Sequence, residues 1–308
     1  MAFNIEAIGA AIGTNPIEIA SLGSDFEKAI SKTGIPVVFE SSESAYELAL
    51  AACHDLQSKS NFNFRDIGAI IFVSQSPVES LPASACRIQD ALEIDTKCLA
   101  FDIGQGCSGF VQGLYLADRL INDTKSLLLI CTDTYRHKLD RMDRSTSTIF
   151  SDAATATLIT NEPRIEIAAS THITDGSGAD LLFHSYNPER NQGNLFMSGG
   201  DVLLFTKRVV FKQAIETLEK AGLEISDVVN VITHQASKLV LDELERRFGE
   251  NVKFHRNIEE FGNTVSSSIP LLLRNDLSLL NDGPTILSGF GVGLSSSCLV
   301  VRPVSASK

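Results

Sequence analysis

The 308-residue chain has no tryptophan, and nowhere does an apolar run approach the ~20 residues that a membrane-spanning helix needs. Its N-terminus, "MAFNIEAIGAAIGTNP", lacks a basic stretch leading into a long apolar one, so no secretory signal is visible and a cytoplasmic location is expected. Positive charge is scarce: 26 Lys and Arg stand against 38 Asp and Glu, a net charge of −12. That balance repels phosphate backbones, and no basic stripe interleaved with aromatics offsets it, so neither nucleic acid nor a membrane is an expected partner. The six cysteines (Cys53, Cys86, Cys98, Cys107, Cys131, Cys298) nowhere show CxxC spacing. This argues against a zinc site and against a disulfide framework, and leaves free thiols.

What is present reads as layered α/β. Strand-like runs ("IGAIIFVS", "LAFDIG", "SLLLICTD", "VVNVITH", "TILSGFG") alternate with helical patterns ("LPASACRIQDAL", "CSGFVQGLYLADRLIND", "SKLVLDELERRFG"). Several strands are apolar throughout, as strands covered on both faces are.

The two halves of the chain resemble each other. "RDIGAIIFVSQSPVESLPASACRIQDAL" and "SDVVNVITHQASKLVLDELERRFG" share an Asp, an apolar strand, a polar turn and a helix. Downstream, "DIGQGCSGFVQGLYLADRLI" faces "EEFGNTVSSSIPLLLRNDL", and "SLLLICTDTY" with "IFSDAATATLIT" faces "TILSGFGVG" with "LSSSCLVV". Three matched segments in one order imply two duplicated α/β halves, residues 1–162 and 163–308, whose related turns can meet at one site.

That alignment puts three reactive side chains on strand-to-helix turns: Cys107 in the first half, His234 and Asn263 in the second. A helix N-terminus carries partial positive charge and unpaired N–H groups, which favour a thiolate at Cys107. A neutral imidazole can hydrogen-bond an attacking or leaving group, and an Asn amide can donate to a developing enolate without titrating. The chemistry implied is acyl transfer through a thioester. Each residue has a plainer reading: a small buried Cys, a satisfied core His at a strand end, an Asn that only caps a turn. The shared turn position weighs against the plain reading for Cys107 above all. The other cysteines and the histidines His54, His137, His172, His184 and His255 have no such placement and are read as structural or surface residues.

"GFGVG" (289–293) lacks the third glycine of a dinucleotide fingerprint, and no GK[ST] follows. Its glycines fit a close approach of backbone to a bound acyl group, with the Val292 N–H beside that of Cys107 as an oxyanion hole.

In order and spacing, "DIGQGCSGFVQGLYLAD", "THQAS", "EEFGNTVSSSIP" and "GFGVG" resemble the β-ketoacyl-acyl carrier protein synthase III family of the thiolase superfamily. "KTGIPVVFESSESAYELALAA", "LPASACRIQ" and "DRSTSTIFSDAATATL" extend the likeness over most of the chain. The resemblance implies a thiolase fold, five-layered αβαβα, in a homodimer. It implies that Cys107 takes an acyl group from an acyl-coenzyme A or acyl carrier protein donor. His234 and Asn263 would then promote decarboxylation of a malonyl thioester on the carrier protein, and the carbanion would attack the acyl-Cys107 carbonyl. No metal or redox cofactor is implied.

The departures from the family are specific. The family's adenine-stacking tryptophan is absent, with Lys32 where an arginine is usual; Arg144 is retained. Gly200 and Ser237 stand where asparagines line the pantetheine arm. Leu81 occupies the position of a Phe that crosses the dimer interface to bound the acyl pocket. Lys207, Arg208 and Lys212 in "TKRVVFK", with Lys238, Arg246 and Arg247, form basic runs that on sequence alone read as a solvated face. The resemblance makes them a docking patch for an acidic carrier protein.

The first reading is therefore a condensing acyltransferase. The alternatives are a relative that hands the acyl group to an alcohol or amine, and a non-catalytic partner subunit of a heteromeric synthase, which the intact Cys, His and Asn set disfavours. A Cys-His protease lacks the local signatures such cysteines carry.

Overall fold

A computed structural model describes residues 2–304. In chain order the first part comprises β1 (Ala2–Ile12), β2 (Asn15–Glu18), α1 (Ser24–Thr33), β3 (Val37–Glu40), α2 (Ala45–Lys59), β4 (Ala69–Val73), α3 (Ser84–Ala91), β5 (Leu99–Ile103), α4 (Gly109–Leu120), β6 (Ser126–Asp133), α5 (Arg144–Ser147) and β7 (Ala153–Thr174). There follow β8 (Leu182–Phe183), β9 (Phe196–Met197), α6 (Gly199–Lys220), β10 (Asn230–Thr233), α7 (Lys238–Phe248), β11 (Lys253–His255), α8 (Ile258–Phe261), α9 (Ser268–Leu273), β12 (Thr285–Gly291) and β13 (Ser295–Pro303). No helix among the described residues is long and apolar enough to cross a membrane.

Strand order runs β11-β10-β12-β13-β7-β6-β4-β5, with β1 paired to β7. β4 pairs in parallel with β5 and β6, and β6 pairs antiparallel with β7. β10 likewise pairs in parallel with β11 and β12, and β12 antiparallel with β13. The expected junction at 162/163 falls inside β7, which is one strand serving two sets of neighbours. Its residues 153–160 pair with β6, and 165–174 with β13.

The period-2 alternation of each strand sorts its side chains into layers. Ile71 and Val73 of β4, Leu127 and Leu129 of β6, Leu287 of β12 and Leu299 of β13 turn inward to one cluster with Phe110 and Leu114 of α4 and Ile269 and Leu273 of α9. The alternate residues Ile70, Phe72, Leu128 and Ile130 face α2 and α3. Val231, Ile286, Phe290 and Val300 face α6 and α7. Two sheets thus enclose a helical layer and are each covered by another, which is the expected five-layered arrangement, and the apolar-throughout strands are explained by cover on both faces. The ends of β5, β10 and β12 open on the same side of the middle layer, where their turns meet.

Candidate active site

Cys107 lies in the turn between β5 and α4, closed by the Gly109 N–H donating to the Gly106 carbonyl at 2.7 Å. It is 6 % exposed. The strand β12 presses directly on it. A Cβ on Gly289 would stand 2.8 Å from the Cys107 carbonyl oxygen, and one on Gly291 3.0 Å from Sγ, with Gly291 also at φ +156°. The "GFGVG" glycines therefore make room for Cys107 itself. The N–H groups of Val292 and Cys107 both face the sulfur, the pair expected to form an oxyanion hole.

One expectation fails here. The helix start was expected to favour a thiolate, yet burial, reinforced by the charge of Asp133, pushes the thiol up to about 12 against the pull of those two N–H groups. Desolvation outweighs the local dipoles. Cys107 therefore rests as a thiol.

His234 follows β10, its own N–H held by the Ser288 carbonyl at 2.8 Å. Nδ1 lies 2.8 Å from Ser268 Oγ, and the ring meets Phe290 edge-on at 5.6 Å. Burial drives its pKa down to about 3, so the ring is neutral. A hydroxyl partner accepts or donates, so either tautomer is available, and the Val265 carbonyl beside the ring opposes the downward shift without reversing it.

Asn263 is not on a simple strand-to-helix turn: the one-turn helix α8 intervenes after β11. Backbone bonds fix it instead, Asn263 N–H to Ile149 O at 3.0 Å and Ser151 N–H to Asn263 O at 2.9 Å. Its Oδ1 accepts from the Val265 N–H at 3.0 Å, while Nδ2 donates to the Ala236 carbonyl at 3.4 Å. Val265 sits at φ +52°, costly for a β-branched residue, so this turn is held under strain.

Cys107, His234 and Asn263 converge on one cavity of about 140 Å³, an apolar tunnel walled by Phe150, Leu182, Val202 and Val240. Ser237 also lines it. A wider cavity of about 840 Å³ adjoins it through Ile149, Met197 and Gly199, and holds Lys32 and Arg144. Gly200 does not line either cavity; the neighbouring Gly199 lines both, because the turn into α6 points Gly200 to solvent. Leu81 is 83 % exposed and lines none of the described cavities. Of the basic run, Lys238 pairs with Asp242 at 2.6 Å, and Arg246 and Arg247 share Glu243. Lys207, Arg208 and Lys212 on α6 have no carboxylate partner within 4.0 Å among the described residues.

Three site residues were not read from the sequence: Ser268, Asp133 and Gln75. Asp133 ends β6, fully buried, and accepts from the Gln75 N–H at 2.8 Å and from Ser266 Oγ at 2.7 Å. It thereby ties the turn after β4 to the turn carrying Asn263, and burial raises its pKa to about 6. A charged residue closing the apolar run "SLLLICTD" was the available signal.

Comparison with known proteins agrees with this architecture. The family model 3-oxoacyl-[acyl-carrier-protein] synthase III matches residues 101–176, and its C-terminal counterpart matches residues 218–303. The β-ketoacyl-[acyl-carrier-protein] synthase III of Lactococcus lactis is 33 % identical over 293 residues, 88 % of this chain and 89 % of that protein. That of Streptococcus sanguinis is 33 % identical over 288 residues, with the same coverage. A crystal structure of a 3-oxoacyl-(acyl-carrier-protein) synthase III superposes with a TM-score of 0.90 at 31 % identity, covering 98 % of this chain and 99 % of that one. The Aquifex aeolicus enzyme gives 0.88 at 28 %, covering 97 % and 99 %. With a family model on each half and relatives aligned nearly end to end, the chain belongs to the 3-oxoacyl-[acyl-carrier-protein] synthase III family, and is a β-ketoacyl synthase III-like condensing enzyme, an acyltransferase on a thiolase fold.

Proposed function

We propose that Cys107 carries the acyl group, that His234 and Asn263 act on a malonyl thioester, and that each half, 1–162 and 163–308, supplies its own part of this site. In the loading step Cys107 Sγ attacks the donor's thioester carbonyl as His234 Nε2 takes the thiol proton. The oxyanion is held by the N–H groups of Cys107 and Val292; the C–S bond to the donor breaks, and its thiolate leaves with the proton. In the condensing step the malonyl C–COO⁻ bond breaks, and its electron pair moves toward the thioester oxygen, which accepts from Asn263 Nδ2 and from Nε2–H of His234 in its other tautomer. Carbon dioxide departs, the resulting carbanion attacks the acyl carbonyl, and Cys107 leaves as the thiolate and takes a proton from solvent. The tunnel takes the pantetheine arm, with Ser237 along it and Lys32 and Arg144 at its outer end. The donor is acyl-coenzyme A or acyl carrier protein, the acceptor malonyl carrier protein, and the enzyme works as a cytoplasmic homodimer with Leu81 at its interface.

The observation that carries this reading is the convergence of Cys107, His234 and Asn263 on one apolar tunnel, with two backbone N–H groups at the sulfur. Its test is to incubate the protein with acyl-coenzyme A and acyl carrier protein donors, read the adduct mass on Cys107, then add malonyl thioester and follow carbon dioxide and β-keto product. Loading without decarboxylation turns the reading to transfer onto an alcohol or amine. No loading by any donor turns it to a non-catalytic partner subunit.

A further inference from the structure

A separate cavity of about 330 Å³ abuts the Cys107 turn and shares no lining residue with the tunnel. Gln75, Tyr135 and Val292 form the partition. Gln75 Oε1 and Val292 Cγ1 leave no room for a side chain at Gly106, and Tyr135 packs in the same cluster as Cys107. An acyl group on Cys107 that grows away from the tunnel meets this partition first.

The partition carries hydrogen-bonding groups, and the cavity behind it is of mixed character, with Lys138 and His184 set among Pro77, Phe183 and Leu195. Tyr135 O–H donates to Gln75 Oε1 at 2.6 Å, and Gln75 Nε2 to the Gly104 carbonyl at 3.2 Å. Lys138 lines the cavity with its Nζ donating to the Gln75 carbonyl at 2.6 Å and to Ser76 Oγ at 3.2 Å. Both partners are neutral, and no carboxylate lies within 4.0 Å of this partly buried ammonium among the described residues; Asp133 and Asp152 act on it only from further off. Apart from the face of the Tyr135 ring at 5.7 Å, one ammonium proton remains for an occupant. His184 stands beside it, its own protonation disfavoured by burial and by the Lys138 charge.

We propose that this cavity is a distal acyl subsite that takes the free carboxylate of a dicarboxylic half-thioester carried on Cys107, with the Lys138 ammonium as its counter-ion. The proposal rests on Cys107 being the acylated residue. An alkyl chain entering here breaks the Tyr135–Gln75 bond and leaves the buried Tyr135 hydroxyl without an acceptor. A carboxylate replaces that bond by accepting from the Tyr135 hydroxyl and completes the Lys138 shell with a charge-assisted one. The carboxylate is a spectator in loading: the donor C–S bond breaks, the Cys107 C–S bond forms, and the thiol proton goes to the departing thiolate.

The test is a loading series on the full-length wild-type protein with acetyl, butanoyl, hexanoyl, succinyl and glutaryl thioesters, each on coenzyme A and on carrier protein, rates read from intact mass. The expected result is that succinyl or glutaryl loads about tenfold faster in kcat/KM than butanoyl. The ratio should collapse toward one in Lys138→Met and persist in Lys138→Arg. Butanoyl loading as fast as the dicarboxylic groups in the wild type overturns the proposal, as does a ratio that survives Lys138→Met. If acetyl or butanoyl loads and condenses while the dicarboxylic groups are refused, the subsite proposal falls and the synthase reading stands. If no thioester loads Cys107, the synthase reading itself falls and takes the subsite with it. The wild-type series decides the first point even if Lys138→Met does not fold.

Discussion

Cys107 illustrates how burial overrides local chemistry at the scale of one residue. Two N–H groups, its own and that of Val292, face the sulfur, yet burial and the nearby charge of Asp133 push the thiol up to about 12. Site-mapped iodoacetamide labelling of Cys107 should therefore speed up about tenfold per pH unit through the neutral range without levelling off, since the thiolate stays a trace species. Asp133→Asn removes the neighbouring negative charge and should raise the labelling rate at any given pH; an unchanged rate means that Asp133 only braces the turns. His234 titrates in the opposite sense. Its imidazole takes a proton near 6.5 in the unfolded chain and only near 3 when folded. Below 6.5 the unfolded state gains a proton that the folded one refuses, so the stabilisation is whole above 6.5 and drains as pH falls toward 3. The melting temperature of His234→Asn should depend less on pH between 6.5 and 4 than that of the wild type, measured by calorimetry.

At the scale of elements, α6 and α7 each carry a group of three basic residues and differ in what the fold does with it. Lys238, Arg246 and Arg247 on α7 are occupied by Asp242 and Glu243, whereas Lys207, Arg208 and Lys212 on α6 have no carboxylate within 4.0 Å among the described residues. A cation already paired has less to offer an acidic partner. Replacing the three α6 residues by alanine should raise KM for a carrier-protein thioester about tenfold at low salt, with little change for the coenzyme A thioester, while Arg246→Ala should have a smaller effect. Equal losses on both thioesters point to damage in the tunnel and not to docking. The element boundaries show the same contrast in legibility. The apolar strands and the amphipathic α4 and α7 are plain in the sequence because their periodicity is local. The helices α5 and α8 span only Arg144–Ser147 and Ile258–Phe261, too short to carry a period, and α8 is why Asn263 does not follow its strand directly.

Across the whole molecule, β7 binds the two sheets into one structure, and α4 and α9 form the layer both sheets share. Leu287 lies fully buried in that layer, so Leu287→Ala should cost ~2–5 kcal/mol. Denaturant unfolding followed by circular dichroism should still show a single transition; two separated transitions would mean that the halves are stable independently. The sequence by itself determined the layered α/β class and pointed to the repeat and to Cys107, His234 and Asn263, because period-2 and period-3.6 patterns and turn chemistry act between near neighbours. Only the tertiary structure decided that Cys107 rests as a thiol, that Asp133 joins the Gln75 turn to the Ser266 turn, that Gly199 and not Gly200 walls the tunnel, and that Lys138 faces a cavity without a carboxylate beside it. Each of these depends on what distant segments bring within a few ångströms and on how much water they exclude, and neither quantity has a period along the chain.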